Sequence, residues 1–170
     1  MPRELLILRH AKSDWDSGAV ADFDRPLAKR GRKDAPVVGA WLYREGMVPS
    51  YFVSSPAKRA RETALSVCKA LDFKKKQIVW DEAIYEADLS DLLGVLGRVP
   101  ANAATVLMVG HNPGLEALVR FLTGNDLDEP EDGKLMPTAA LARLEMPEDW
   151  SSLEAGCATM MAVVRPKQLK

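Results

Sequence analysis

Leu5-Leu6-Ile7-Leu8-Arg9-His10 is a wholly apolar run of chain that ends on a cation and an imidazole. The same arrangement returns a hundred residues later as Val106-Leu107-Met108-Val109-Gly110-His111. A strand with one wet face alternates apolar and polar residues. A strand covered on both faces, as in a parallel sheet, reads as an unbroken apolar run. Ligands of open α/β sheets bind outside the carboxyl ends of such strands. Both of the chain's 2 histidines therefore stand at one sheet edge. One of them follows an arginine, and together they point to a single anion-handling site.

The rest of the chain supports that sheet. Besides Leu5–Leu8 and Thr105–Val109, strand-like runs fall at Tyr51–Ser54, Gln77–Trp80, Ala140–Leu144 and Thr159–Val164. Helical patterns lie between the first five. Asp34–Arg44 puts Val37, Val38, Trp41 and Leu42 on one stripe, with Pro36 read as part of a first turn and Gly46 as the stop. Ala57–Leu71 repeats Ala60, Ala64, Cys68 and Leu71, and Leu89–Leu96 and Leu115–Leu122 complete the set. Alternating β and α elements predict an α/β fold: a three-layer α/β/α sandwich with a mostly parallel central sheet and right-handed crossovers. No helix separates the last two strands, so they are expected to form an antiparallel edge pair. Asn125–Pro137 is acidic and rich in turn residues, which predicts a surface loop, and Pro166–Lys170 a frayed tail.

Bulk properties narrow the function. The 170 residues suit one domain, 1–170, and the 47% hydrophobic and 28% charged content is that of an ordinary globular protein. A net charge of −1 provides no global field for nucleic acid or an anionic membrane. No apolar stretch is long enough for a membrane span, and no signal-peptide pattern stands at the N-terminus. Cys68 and Cys157 lie in apolar segments without a Cys-x-x-Cys spacing, and read as reduced core residues rather than a redox pair. A cytoplasmic monomer is the expectation.

Two strand-to-helix junctions are built alike. Ser54-Ser55-Pro56 and His111-Asn112-Pro113 each set a capping residue before a proline, which predicts helices starting at the prolines. Helix starts favour anions. Arg59, one turn into its helix, leans back towards the same edge. Two guanidinium forks, Arg9 and Arg59, beside two imidazoles suit one tetrahedral, doubly charged group such as phosphoryl.

Other readings are weaker. A lone histidine at a strand end is ordinarily structural, but two at equivalent junctions favour a site. Arg59 taken alone could be a solvated helix charge among Lys58, Arg61 and Glu62. No His-x-His or His-Glu-x-x-His spacing and no carboxylate neighbours suit a metal, and nothing calls for a cofactor. Ser54 and Ser55 lack the Gly-x-Ser-x-Gly elbow, and no phosphate-cradling Gly-rich loop is present. Imidazole itself remains as nucleophile; it must be neutral to attack phosphorus, and the arginines disfavour its protonation.

These residues resemble a known family. Leu8-Arg9-His10-Ala11 resembles the Arg-His-Gly signature of the histidine phosphatase superfamily, whose fold is called phosphoglycerate mutase-like. The stretch from Ser54 to Thr63 is similar to its second motif, with Arg59 as the phosphate-binding arginine, and Gly110-His111 to its third. Arg9-His10-Ala11-Lys12-Ser13-Asp14-Trp15, Asp24-Arg25-Pro26-Leu27 and Gly110-His111-Asn112-Pro113-Gly114 resemble the SixA group of phosphohistidine phosphatases. The resemblance covers essentially the whole chain. It implies that His10 becomes phosphorylated, that Arg9, Arg59 and His111 hold the phosphoryl group, and that water releases phosphate.

Ala11 replaces the usual glycine, which fits if the backbone there avoids positive φ. Relatives that act on phosphoesters use a carboxylate after the third strand. Glu82 occupies that stretch, with Glu86 nearby, either as general acid or as an exposed loop carboxylate. Phosphohistidine, a phosphoramidate with a readily protonated leaving nitrogen, needs no dedicated acid.

The short connections predict a shallow site that admits a phosphorylated side chain of a phosphorelay or phosphotransfer protein. A small phosphomonoester as substrate, or a phosphate- or partner-binding module without turnover, are the alternatives. The loop Lys12–Arg25 forms one rim of the site or tucks Trp15 inward.

Overall fold

The computed structural model describes residues 2–170. Six strands form one sheet in the order β3-β2-β4-β1-β5-β6: β1 (Arg3–Arg9), β2 (Tyr51–Ser54), β3 (Val79–Trp80), β4 (Thr105–Gly110), β5 (Leu141–Met146) and β6 (Thr159–Val164). The first four run parallel; β5 pairs antiparallel with β1, and β6 antiparallel with β5. All six strand-like runs become strands, in the mostly parallel sheet with an antiparallel edge pair that the pattern predicts.

The apolar runs divide between two cores. Successive strand side chains point to opposite faces. Leu5 and Ile7 of β1, with Val106 and Met108 of β4, pack under α3 (Leu89–Gly97) and α4 (Gly114–Thr123). Leu6 and Leu8, with Leu107 and Val109, pack under α1 (Lys29–Arg44) and α2 (Lys58–Leu71). Every residue of both runs is buried, which is why neither alternates. Two helix layers about one sheet make the α/β/α sandwich.

Several boundaries differ from the sequence reading. Helix α1 begins at Lys29, not Asp34, and Pro36 lies inside it. Its first turns, Lys29-Arg30-Gly31-Arg32, carry no apolar stripe and so gave no signal. Gly31 admits the Lys12 backbone there: a Cβ on Gly31 would stand 2.2 Å from the Lys12 carbonyl oxygen. Strand β3 is only Val79–Trp80, because Lys75–Gln77 forms a 3-10 turn. The segment Asn125–Pro137 is not wholly a surface loop, since Leu135 and Met136 are buried in the α3/α4 core.

The tail is also ordered. Pro166–Leu169 forms a short helix, α5, opened by buried Pro166, with Gln168 Oε1 accepting the Arg165 N–H at 2.7 Å. Cys68 and Cys157 are free thiols. No helix of the described residues is long and apolar enough to cross a membrane.

Candidate active site

The register of the parallel strands builds the site. Leu8 pairs with Val109 and Arg9 with Gly110, so the next residues, His10 and His111, leave the sheet side by side. The His10 N–H donates to the Gly110 carbonyl at 3.0 Å, and the His10 carbonyl accepts the Ala139 N–H at 3.1 Å. The two imidazole centroids stand 5.2 Å apart. Strand β2 ends level with them, and the Ser55 N–H bonds to the Val109 carbonyl at 3.0 Å.

His10 is 5% exposed. Its Nδ1 lies 2.8 Å from the Ala11 carbonyl oxygen, which can only accept. Nδ1 therefore carries the proton, and Nε2 keeps its lone pair. Burial pushes the His10 pKa down to about 3; the Ala11 carbonyl opposes this, while His111, Arg59 and Arg9 add to it. Burial, and next Arg59, push His111 down to about 4. Both rings are neutral at neutral pH.

A stability consequence follows. Below about pH 6.5 the unfolded chain takes up a proton that native His10 refuses, so stability falls as pH drops from there towards 3. Above that window His10 is neutral in both states and contributes no pH dependence. Between pH 7 and 5, His10 should account for a loss of about 2 kcal/mol. Urea unfolding of wild type and His10→Asn at both pH values measures it as the difference between the two losses.

Ser55 fixes His111. Its hydroxyl is fully buried, accepts the Ala57 N–H at 3.2 Å, and lies 2.8 Å from His111 Nε2. The hydroxyl proton has one available acceptor, that Nε2. His111 Nδ1 then bears the ring proton, and it is buried without a partner. This replaces the capping role read for Ser55: α2 starts at Lys58, because the Ser55 hydroxyl closes a local turn around Pro56 instead.

Nor do Asn112 and Pro113 open α4. The Asn112–Pro113 peptide is cis, and the helix begins at Gly114, where a Cβ would meet the Ala87 carbonyl at 2.6 Å. Asn112 Nδ2 instead donates to the Met136 carbonyl at 2.8 Å.

Both predicted arginines converge on this edge. Arg9 Nη1 donates to the same Met136 carbonyl at 3.1 Å, and its Nε is buried without a partner. Arg59 is buried; Nη1 donates to the Asp22 carbonyl at 2.8 Å and Nη2 to Asp22 Oδ2 at 3.0 Å, and its Nε likewise lacks a partner. Thr63 ties the two motifs together, accepting the Ala11 N–H at 3.0 Å and donating to the Arg59 carbonyl at 2.7 Å. Ala11 is buried, with a backbone outside the left-handed region, so alanine serves where relatives carry glycine.

Three residues whose charge or ring acts on His10 thus each keep a buried N–H donor without a partner, Arg9 Nε, Arg59 Nε and His111 Nδ1, and Asn112 Oδ1 is a buried acceptor without one. Buried donors ordinarily find acceptors. A site lacking them is prepared for an anion with several oxygens.

Sequence reasoning missed Asp22 and Tyr85. Asp22, on a 3-10 turn of the loop after β1, also pairs with Arg25 and accepts the Tyr85 hydroxyl at 2.7 Å. Burial raises its pKa, but bonds from Tyr85, Arg25 and Arg59 outweigh that and hold the carboxyl well below the usual carboxylate range. Burial, then the Asp22 bond, push the Tyr85 phenol up to about 12, so it remains a donor. Its ring meets His111 edge-on at 5.6 Å. The loop Lys12–Arg25 reads as one rim of the site, but nothing in the sequence joins Asp22 to Arg59.

Glu82 behaves differently. It is exposed on a 3-10 turn and makes no hydrogen bond or ion pair with His10, Arg9, Arg59 or His111. Trp15 does not tuck inward: it is 72% exposed, with the Arg25 guanidinium 3.6 Å from its ring centroid.

The profile of the histidine phosphatase superfamily, branch 1, matches residues 5–98, which include His10 and Arg59. The chain belongs to the histidine phosphatase superfamily. An uncharacterized protein of Mycobacterium tuberculosis is 33% identical to this histidine phosphatase over 164 residues, 94% of this chain and 100% of the relative. A crystal structure assigned as the phosphohistidine phosphatase SixA of Agrobacterium tumefaciens superposes with a TM-score of 0.82 at 26% identity, covering 98% of this chain and 99% of the other. A 2,3-bisphosphoglycerate-dependent phosphoglycerate mutase of Parvibaculum lavamentivorans is 30% identical over only 97 residues, 56% of this phosphatase and 46% of the mutase.

Proposed function

We propose that this histidine phosphatase hydrolyses phosphohistidine on a protein through a phosphorylated His10. One observation carries the choice of substrate. The carboxylate bonded into the cluster, Asp22, is held as an anion by three donors and so has no proton to give. A phosphoester expels an alkoxide and gains from a protonated carboxyl beside the leaving oxygen. A phosphoramidate expels an imidazole that takes its proton readily from solvent. The site therefore suits the second leaving group. The likeness to the SixA structure over 98% of the chain supports the same reading.

The chemistry has two balanced steps. His10 Nε2 attacks phosphorus; the bond to the substrate imidazole breaks, and that imidazole leaves protonated by solvent. Water then attacks the phosphoryl on His10, and the bond to Nε2 breaks to give inorganic phosphate and the free ring. Arg9, Arg59 and His111 hold the equatorial oxygens, and removing one such donor typically costs ~10²–10³ in rate.

The test is a comparison of kcat/KM on a phosphohistidine-bearing protein and on a panel of sugar and nucleotide monophosphates. Phosphohistidine is expected to lead by at least ~10²-fold. A lead of that size for any phosphomonoester overturns the proposal.

Asp22 sets how tightly phosphate stays. Asn at this position keeps an oxygen for Arg59 but removes the charge opposing an incoming anion. One like charge near a partly solvated anion is worth on the order of 1 kcal/mol. Asp22→Asn should strengthen inhibition by inorganic phosphate about fivefold, read as a lower inhibition constant at constant ionic strength.

A further inference from the structure

Beyond Arg9 the site opens into a cavity of about 500 Å³ walled by Arg9, Lys12, Arg30 and Lys134, with Glu116 among them. A second cavity of about 370 Å³ adds Arg165, Lys167 and Lys170, with Asp34. The two share Arg30, Pro137 and Thr138, so they lie side by side as a trough running from Arg9 towards α5.

The acids in this trough already have partners. Glu116 accepts the Met136 N–H at 3.1 Å, and Asp34 lies 3.7 Å from Arg30 and 3.8 Å from Lys170. Arg165 is engaged by Asp132 at 2.6 and 3.0 Å. Lys12, Lys134 and Lys167 make no salt bridge among the described residues. Since the whole chain carries a net charge of −1, this excess of cations is a local feature and not a matter of composition. Pockets for small molecules are mainly apolar with aromatic walls. No aromatic residue lines either cavity, whereas four lysines and three arginines do. Such a surface complements an extended acidic one.

We infer that the trough docks an acidic surface of the phosphorylated protein, lying beside its phosphohistidine and reached past Arg9. The inference rests on the phosphohistidine reading above. Docking of this kind raises the association rate and lowers KM, and both effects weaken with salt.

The experiment uses two phosphohistidine peptides of equal length, one flanked by Asp and Glu, the other by Asn and Gln. Phosphoramidate serves as a probe that fills only the phosphoryl pocket. At low salt the acidic peptide should show at least a tenfold higher kcat/KM, carried by KM and shrinking as salt rises. In Lys134→Glu/Lys167→Glu, the ratio of kcat/KM on the acidic peptide to that on phosphoramidate should fall about tenfold. Equal rates on the two peptides, both well above phosphomonoesters, overturn the docking inference and leave the proposed function standing. If neither peptide is hydrolysed while a sugar bisphosphate is, and the double variant slows that reaction, the phosphohistidine reading fails and the trough holds a small polyanion instead.

Discussion

His10→Ala should lose turnover by ~10⁴–10⁶-fold, the range seen when a covalent nucleophile is removed, while still binding vanadate. The first half of that expectation rests on the tautomer. His10 donates Nδ1–H to the Ala11 carbonyl, which leaves the lone pair on Nε2. The second half rests on independent support for each donor. Arg9 hangs from the Met136 carbonyl, Arg59 from Asp22, and His111 from Ser55. None of these bonds passes through His10, so the anion site should survive its removal. Rapid quench with a ³²P-labelled phosphohistidine protein should trap an acid-labile, base-stable adduct in wild type and none in His10→Ala. His111 is the control, because its Nε2 lone pair is taken by the Ser55 hydroxyl and its Nδ1 bears a proton. An adduct that persists in His10→Ala and vanishes in His111→Ala would reverse the assignment.

Why the histidines were legible and their partners were not is a matter of range. Leu5–Leu8 and Val106–Val109 announce buried parallel strands through composition alone. Once two strands pair in register, the residues after them must meet. Arg59 was legible because a side chain near a helix start leans back towards the strand end, although α2 opens at Lys58 and Arg59 lies in its first turn. Asp22 and Tyr85 belong to segments without periodicity, 63 positions apart, that meet only through the packing of two loops. No local pattern encodes such a contact. The helix starts were misplaced for a related reason. Ser55 and Asn112 are good capping types, but tertiary partners, His111 and the Met136 carbonyl, claim their side chains. Gly31 and Gly114 look like ordinary helix-weakening glycines until the backbone they admit is known.

Gly31→Ala tests that last point and should be severe for so small a change. The added methyl would stand 2.2 Å from the Lys12 carbonyl oxygen and 3.0 Å from the Lys12 nitrogen, both backbone atoms. That carbonyl is already committed, accepting the Ala28 N–H at 2.8 Å. Helix α1 cannot retreat freely, because a Cβ on Gly39 would lie 2.8 Å from the Val67 carbonyl, which measures how closely α1 already sits on α2. The Ala11–Lys12 backbone must therefore yield, by about an ångström. Overpacking of this kind costs about 3 kcal/mol. Because Lys12 is two residues from the His10 ring, the same shift displaces the nucleophile, and a 1 Å misplacement can cost ~10² in rate. The urea midpoint and kcat/KM should fall together. Gly94→Ala gives the opposite sign: its Cβ would meet only Arg98 Nη1 at 3.7 Å, so the gain in helix propensity of up to ~1 kcal/mol is uncontested. Wild-type stability and rate in Gly31→Ala would mean that the contact between α1 and the chain after His10 does not position the site.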